Sequence, residues 1–318
     1  VHNLKIRFLA LTVPLIVLLM AGAFVGMDFI VKDVIDELGR NFTTKEVLYN
    51  RSRSLTPLIR LIALARVLAN SPTVIEWAKD ENDPSLKARG LAELEVYRKA
   101  FPDGSYFFVI DGTGNYYSND DRQSFTGIEL RYTISPDKAK DAWYYATKRK
   151  PKKCQLNVDN DIEIQVTKVW VNCLVHDGGT VVGVIGSGID LTEFIQTAVK
   201  SKQAGVTNMF VDGDGSIQVH SNFKEIDFHS LTNAPDERKT IFRMADDENG
   251  RDKLRTMFKR LKADPKQVEI GFLDVQEKRT LVGISAMEEI GWFAVTFLDI
   301  EALKLSKQFV PIAILMAG

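Results

Sequence analysis

The sequence predicts an α+β fold in which one long N-terminal helix carries two similar antiparallel-sheet modules in tandem between two membrane-spanning segments. Three observations predict it. An uncharged stretch, "FLALTVPLIVLLMAGAFVGM" at residues 8–27, runs on to Ala69 with few helix breakers. Beyond it, β-prone runs alternate with Gly- and Asp/Asn-rich turns. Two stretches also recur. "VIDGTGNYYSN" (residues 109–119) is echoed by "FVDGDGSIQVHSN" (210–222), and "GVIGSGIDLTEF" (183–194) by "WFAVTFLDIEAL" (292–303).

The uncharged stretch is about the length that crosses a hydrocarbon core as a helix. Lys5 and Arg7 precede it and Asp28 follows, so the positive-inside bias leaves the N-terminus in the cytoplasm and sends the rest outside. A cleaved signal peptide is the rival reading, because Ala21-Gly22-Ala23 resembles a small-residue cleavage site. The far end, "FVPIAILMAG" at 309–318, decides for a span: it reads as the first half of a second one. The intervening chain is then extracytoplasmic. The helix continuing from the first span extends at about 1.5 Å per residue. Its Leu48, Leu55, Ile62 and Ala69 recur every seven residues, a stripe for core packing or a homodimer seam.

Ser71 or Asn70 caps a new helix with Pro72 at its first position, and "ENDP" turns the chain into another helix over residues 84–100. A hairpin follows in "SYFFVIDGTGNYYSND", then a polar helical patch, "SPDKAKDAWYYATK". Three strands, "CQLNVD", "IEIQVTKVWVNCLV" and "TVVGVIGSGID", close the first module. The expected division is a cytoplasmic stub and first span (1–30), stalk and connecting helices (31–100), first module (101–200), second module (201–305) and the start of the second span (306–318).

The balance of 41 Lys+Arg against 42 Asp+Glu, with no long single-sign block, excludes a nucleic-acid footprint. The four histidines are scattered, no CxxC occurs, and "DGDGS" lacks the later Gly and Glu of a calcium loop, so no metal or cofactor is expected. Neither a nucleophile elbow nor a phosphate loop is present, so these residues are not expected to form an enzyme. Cys154 and Cys173 lie in a disulfide-permissive compartment, either bridged or as two separate buried thiols. In "KVWVNC" strand parity puts Val169, Val171 and Cys173 on one face and Lys168, Trp170 and Asn172 on the other. The second set suits a pocket wall, or a core aromatic with polar neighbours at a sheet edge.

The long first helix with "LANSPTVIEWA", the hairpin "FVIDGTGNYYSND", "AWYYATK", the "GIDLTEF" junction and the closing "EEIGWFAVTFLDI" together resemble the double Cache sensor regions of bacterial transmembrane receptors. These are two PAS-like modules side by side on a membrane-anchored helix. The likeness covers essentially the whole chain. The combination "CQLNVD", "VTKVWVNC" and "GSGIDLTEF" is most similar to the sensor regions of membrane diguanylate cyclases. The resemblance implies a small-molecule ligand, amine or amino-acid-like, in the membrane-distal module, and an effector in the cytoplasm such as a cyclase, kinase or chemotaxis module. It carries ligand contact over to Trp143 and Tyr144, and contact with a ligand ammonium to Asp190. The plain alternative for Asp190 is an N-cap to "LTEF". Amino-acid-sensing relatives have Arg two residues before the Trp, where this chain has Asp141. Arg131 and Lys168 are the cations expected to substitute, with Asn119 completing the candidate set. A structural or adhesion ectodomain without a ligand is the rival class.

Overall fold

The computed structural model describes residues 2–150, 152–201 and 203–304. The expected second span, 306–318, lies outside the described residues.

Helix α1 (His2–Ala69) includes residues 8–27. Among the described residues from Lys32 onward no single helix is long and apolar enough to cross a membrane, although a bent pair, residues 32–69 with α2 (Pro72–Lys79), passes by length and composition. One stripe of that pair is occupied in packing. Val47, Leu58, Leu61, Ala65 and Leu68 are fully buried, and Thr43, Asn50 and Ser54 continue the same stripe toward the N-terminus. The stripe advances by threes and fours, the helical period, so the seven-residue frame drifts off it. Leu48 ends on the solvent side, 39% exposed, and Leu55 is only half-buried. Pro57 does not end the helix.

Ser71 caps α2, its hydroxyl accepting from Val74 N at 3.3 Å. Asp83 caps α3 (Pro84–Ala100), accepting from Ser85 N and Leu86 N. Gly90 lets α3 close on α2: a Cβ there would sit 2.3 Å from the Trp77 ring. Glu81, in the intervening turn and only 8% exposed, accepts from Tyr117 Oη (2.5 Å), Asn115 Nδ2 (2.8 Å) and the Thr113 hydroxyl. It pins the helices to the first hairpin.

The first sheet contains β1 (Tyr106–Ile110), β2 (Asn115–Asn119) and β3 (Leu130–Thr133), then, after α4 (Ala142–Arg149), β4 (Cys154–Asp161), β5 (Val166–Asp177) and β6 (Thr180–Asp190). The strand expected to start at Ile162 starts at Val166, because residues 162–165 form the β4–β5 turn with Gln165 at φ 54°. After α5 (Leu191–Phe194), the second sheet has β7 (Val206–Val211) and β8 (Ile217–His220), then α6 (Glu248–Ala263), β9 (Val268–Val275), β10 (Lys278–Met287), β11 (Trp292–Asp299) and α7 (Ile300–Lys304).

The sheets run β3-β2-β1-β6-β5-β4 and β8-β7-β11-β10-β9. Without β3 the two orders are the same, with the hairpin beside the last strand and the two preceding strands beyond it. The sequence repeat is thus a topological repeat. All pairings are antiparallel. The C-terminal end of α1 packs on the first sheet, where Val169, Val171, Cys173 and Ile185 share its core. Nearer the N-terminus α1 meets the second module: Arg279 holds Asp36 through two 2.8 Å bonds and Arg51 reaches Ser285.

Candidate functional site

The face of the first sheet turned away from α1 carries a second set of side chains, as strand alternation requires. Phe107 stands on β1, Tyr116 on β2 and Trp170 on β5, and α4 lays Trp143 and Tyr144 over them. Phe107 is the hub, 5.8 Å from Tyr116, 5.8 Å from Trp143 and 5.6 Å from Trp170, centroid to centroid. Tyr132 on β3 stacks on Tyr116 at 4.5 Å. On β6, Gly186 and Gly188 stand cross-strand from Asn172 and Trp170. A Cβ at Gly186 would meet Val171 O at 1.8 Å, so the sheet surface here tolerates no side chain.

Above these rings is a cavity of about 420 Å³. Trp143, Phe107, Tyr116, Tyr132 and Trp170 supply its aromatic wall; its polar wall contains Asp141, Asn157, Asp159, Asn160, Asp161, Glu163 and Asn172. The polar groups are fixed. Asn172 Nδ2 donates to Asn157 Oδ1 at 2.7 Å, and both residues are buried. The Trp170 indole N–H donates to Asp159 O at 3.2 Å. Asp141, 1% exposed, accepts from Ser135 N at 2.8 Å. Asp161 accepts from Glu163 N (2.9 Å), Ile164 N (3.3 Å) and the Tyr132 hydroxyl (3.3 Å).

Four carboxylates therefore line one small cavity, against Lys140, which pairs with Glu163, and His229, which pairs with Asp159 at 2.6 Å. Burial pushes the Asp161 carboxyl above its ordinary range despite the two backbone amides that favour its charge. Burial, with the Asp161 charge, also drives the Tyr132 phenol up, so it stays a donor. Among the described residues no group of three His, Cys, Asp or Glu side chains is placed to hold a metal ion. A rigid aromatic wall facing an excess of anionic oxygens instead favours a small organic cation through contact area, cation–π attraction and charge-assisted hydrogen bonds.

The residues singled out from the sequence divide. Trp143, Trp170 and Asn172 line the cavity. Tyr144 belongs to the same aromatic cluster, but its hydroxyl is taken by Asp111 at 2.6 Å, which also pairs with Lys148. Lys168 shares the face of Trp170, yet its ammonium turns to Asp103 (2.6 Å) and the Ser105 hydroxyl (2.8 Å) and lines no part of the cavity. Arg131 is directed away too, stacked 3.9 Å from the Phe125 ring and bonded to Ile128 O. Asn119 lies on the opposite face of the sheet, fully buried, donating to Glu95 and Thr126 while its carbonyl accepts from Asp120 N and Phe125 N.

Asp190 is also outside the cavity. It is exposed and caps α5, accepting from Glu193 N at 2.9 Å. Its repeat counterpart, Asp299, accepts from Glu301 N (2.9 Å) and Ala302 N (3.3 Å) at the start of α7. One helix-starting carboxylate per module accounts for both. Cys154 and Cys173, paired directly across β4 and β5, form a disulfide. It ties the hairpin that carries Trp170 midway and Asp159 and Asp161 toward its far end.

No family model and no curated protein matches the sequence. Solved structures do match. The chain is similar to the ligand-binding domain of the Pseudomonas fluorescens chemoreceptor CtaA in complex with L-isoleucine, at 15% identity and TM-score 0.58, over 87% of this chain and 100% of that one. The ligand-binding domain of the Pseudomonas aeruginosa PAO1 amino acid chemoreceptor PctB in complex with L-Arg aligns at 14% identity and TM-score 0.55, over 86% and 99%. The sensory domain of the Campylobacter jejuni chemoreceptor Tlp3 with isoleucine bound aligns at 11% and 0.53, over 86% and 97%.

The chain has the double Cache fold. At these identities the likeness establishes the double Cache architecture, and the chemistry of the cavity must be argued from its own residues.

Proposed function

We propose that this chain is the extracytoplasmic sensing region of a bacterial transmembrane receptor, and that it binds a small cationic solute, an amine or an amino-acid-like molecule, in the first-module cavity. The observation that carries this reading is the pairing of an aromatic wall with four carboxylates in about 420 Å³. With Asp141 in place of an arginine clamp, the site has no strong grip on a ligand carboxylate and a ready one on an ammonium. The ligand-free structural ectodomain is disfavoured by the same cavity, since a module built only for support would fill that space with side chains.

The apolar run at residues 8–27 supplies the membrane anchor in this reading. Since the second module packs nearer the N-terminal end of α1, the first module is then the membrane-distal one. Both contact α1, so a ligand that prefers one arrangement of module and helix shifts the helix in proportion to its differential affinity. The reader of that shift is an effector in the cytoplasm, with a diguanylate cyclase, a histidine kinase or a chemotaxis module as candidates, and a homodimer of α1 helices as its carrier. A thermal-shift screen of the purified chain against amines, amino acids, purines and carboxylates tests the ligand class. Stabilisation by amines and amino acids supports it; stabilisation by carboxylates alone refutes it.

A further inference from the structure

The cavity is not completed by its own module. His229, Thr232 and Asn233, from the connection between β8 and α6 of the second module, form part of its wall. That connection is internally braced: Thr232 N and Asn233 N donate to His229 O at 2.8 and 2.9 Å, and the Asn233 amide donates to Asp227 Oδ1 and Phe228 O, both at 2.9 Å. His229, at the positive φ of 62°, presents Nδ1 to Asp159 Oδ1 at 2.6 Å. Asp159 is both a cavity carboxylate and the residue whose carbonyl fixes Trp170.

We propose that the second module supplies part of the ligand site, and that His229 is a tethered cation that occupies Asp159 until a ligand ammonium displaces it. Resting on the cation-site reading above, the inference adds how binding is felt by the other module: the arriving ammonium takes over a carboxylate that bonds across to it. It also sets a pH dependence. Asp159 and Asp227 both favour protonated His229, with the Asp159 hydrogen bond the larger influence, and hold its pKa above the ordinary value. The other charged groups facing this cavity are Asp141, Asp161, Glu163 and Lys140. While His229 is protonated it competes with the ligand; once neutral, it leaves Asp159 to the ammonium. Affinity for an organic cation therefore rises with pH through the His229 transition and levels off above it. Asp161 deprotonates with the same sign, and it accounts for whatever slope remains without His229.

The test is calorimetric titration of the full chain in detergent with n-butylammonium, 1,4-diaminobutane and tetramethylammonium. At about pH 8.5 wild type should bind its best cation at least about tenfold more tightly than at about pH 6. His229→Gln, at a half-exposed position, should bind at the lower pH almost as tightly as wild type does at the higher. In NMR, saturating ligand should move the His229 ring titration to lower pH. Wild-type binding that is independent of pH, or a full wild-type slope retained in His229→Gln, overturns this inference and leaves the cation site standing. Absence of binding by any of the three cations at either pH overturns the cation site and this inference with it.

Discussion

Replacing Asp161 by Asn removes one charge from the cavity and leaves its shape. Asn Oδ1 can still accept from Glu163 N and Ile164 N, and its amide can donate to the Tyr132 oxygen in place of the present bond. Because burial raises the Asp161 pKa in the folded protein, its stabilising contribution is present only at low pH and is lost as pH rises through the folded value. At neutral pH the ionised group therefore costs stability, and Asp161→Asn should leave the melting temperature of the ligand-free chain unchanged or raised. Binding should behave in the opposite way. A charge-assisted hydrogen bond to an ammonium is worth about 1.5–3 kcal/mol, or roughly ten- to a hundredfold in affinity. At a ligand concentration of about 100 Kd the wild type gains about 2.7 kcal/mol on binding, and a site weakened a hundredfold gains only about 0.4 kcal/mol at that concentration. A thermal-shift assay with and without the amine reads both effects. A variant that loses stability without ligand, or keeps the full ligand-induced shift, would refute the role given to Asp161.

Other substitutions separate the site from its scaffold. Asp190→Ala should cost about 0.5–2 kcal/mol through the lost cap, and Asp190→Asn much less; calorimetry should find amine affinity unchanged in both, while weakened binding in Asp190→Asn would return Asp190 to the site. Reducing the Cys154–Cys173 bridge, which closes a loop with a sequence separation of 19, should lower unfolding free energy by about 3 kcal/mol in denaturant titrations. An unchanged midpoint under reducing conditions would contradict that. Glu81→Ala strands the buried Tyr117 hydroxyl and its neighbouring donors, and should destabilise by at least about 1–3 kcal/mol in the same assay.

Local pattern carried much of the fold. The cap at Ser71, the turn at "ENDP", the run of α3 and the two echoing hairpins are short-range signals, and the repeat carried the shared strand order. Parity within "KVWVNC" was enough to place Trp170 and Asn172 together on the face away from α1. Parity says nothing of where a long side chain ends, and Lys168 shows the consequence: its ammonium is drawn to Asp103, distant in sequence, on the loop before β1. Asp190 was legible through the repeat, since Asp299 stands at the same strand-to-helix junction, but the resemblance to amino-acid sensors pointed the other way. Of the cavity acids Asp141 was noticed, but Asp159, Asp161 and Glu163 were missed because "DNDIE" at residues 159–163 has the composition of an ordinary turn; its density of carboxylates between two β-prone runs was the available signal. His229, Thr232 and Asn233 had no local signal. Their place in the first-module cavity depends on how two modules pack along one helix, a long-range outcome that no window of sequence contains.

The central claim is that the first-module cavity holds a small organic cation. A crystal structure of the chain with its best-binding ammonium ligand tests this most directly. The nitrogen should lie within about 3.2 Å of a carboxylate oxygen of Asp159 or Asp161, with the carbon skeleton against Trp143, Phe107 and Trp170. A ligand seated elsewhere on the chain, or one in this cavity with its nitrogen turned away from the acids, would contradict the account.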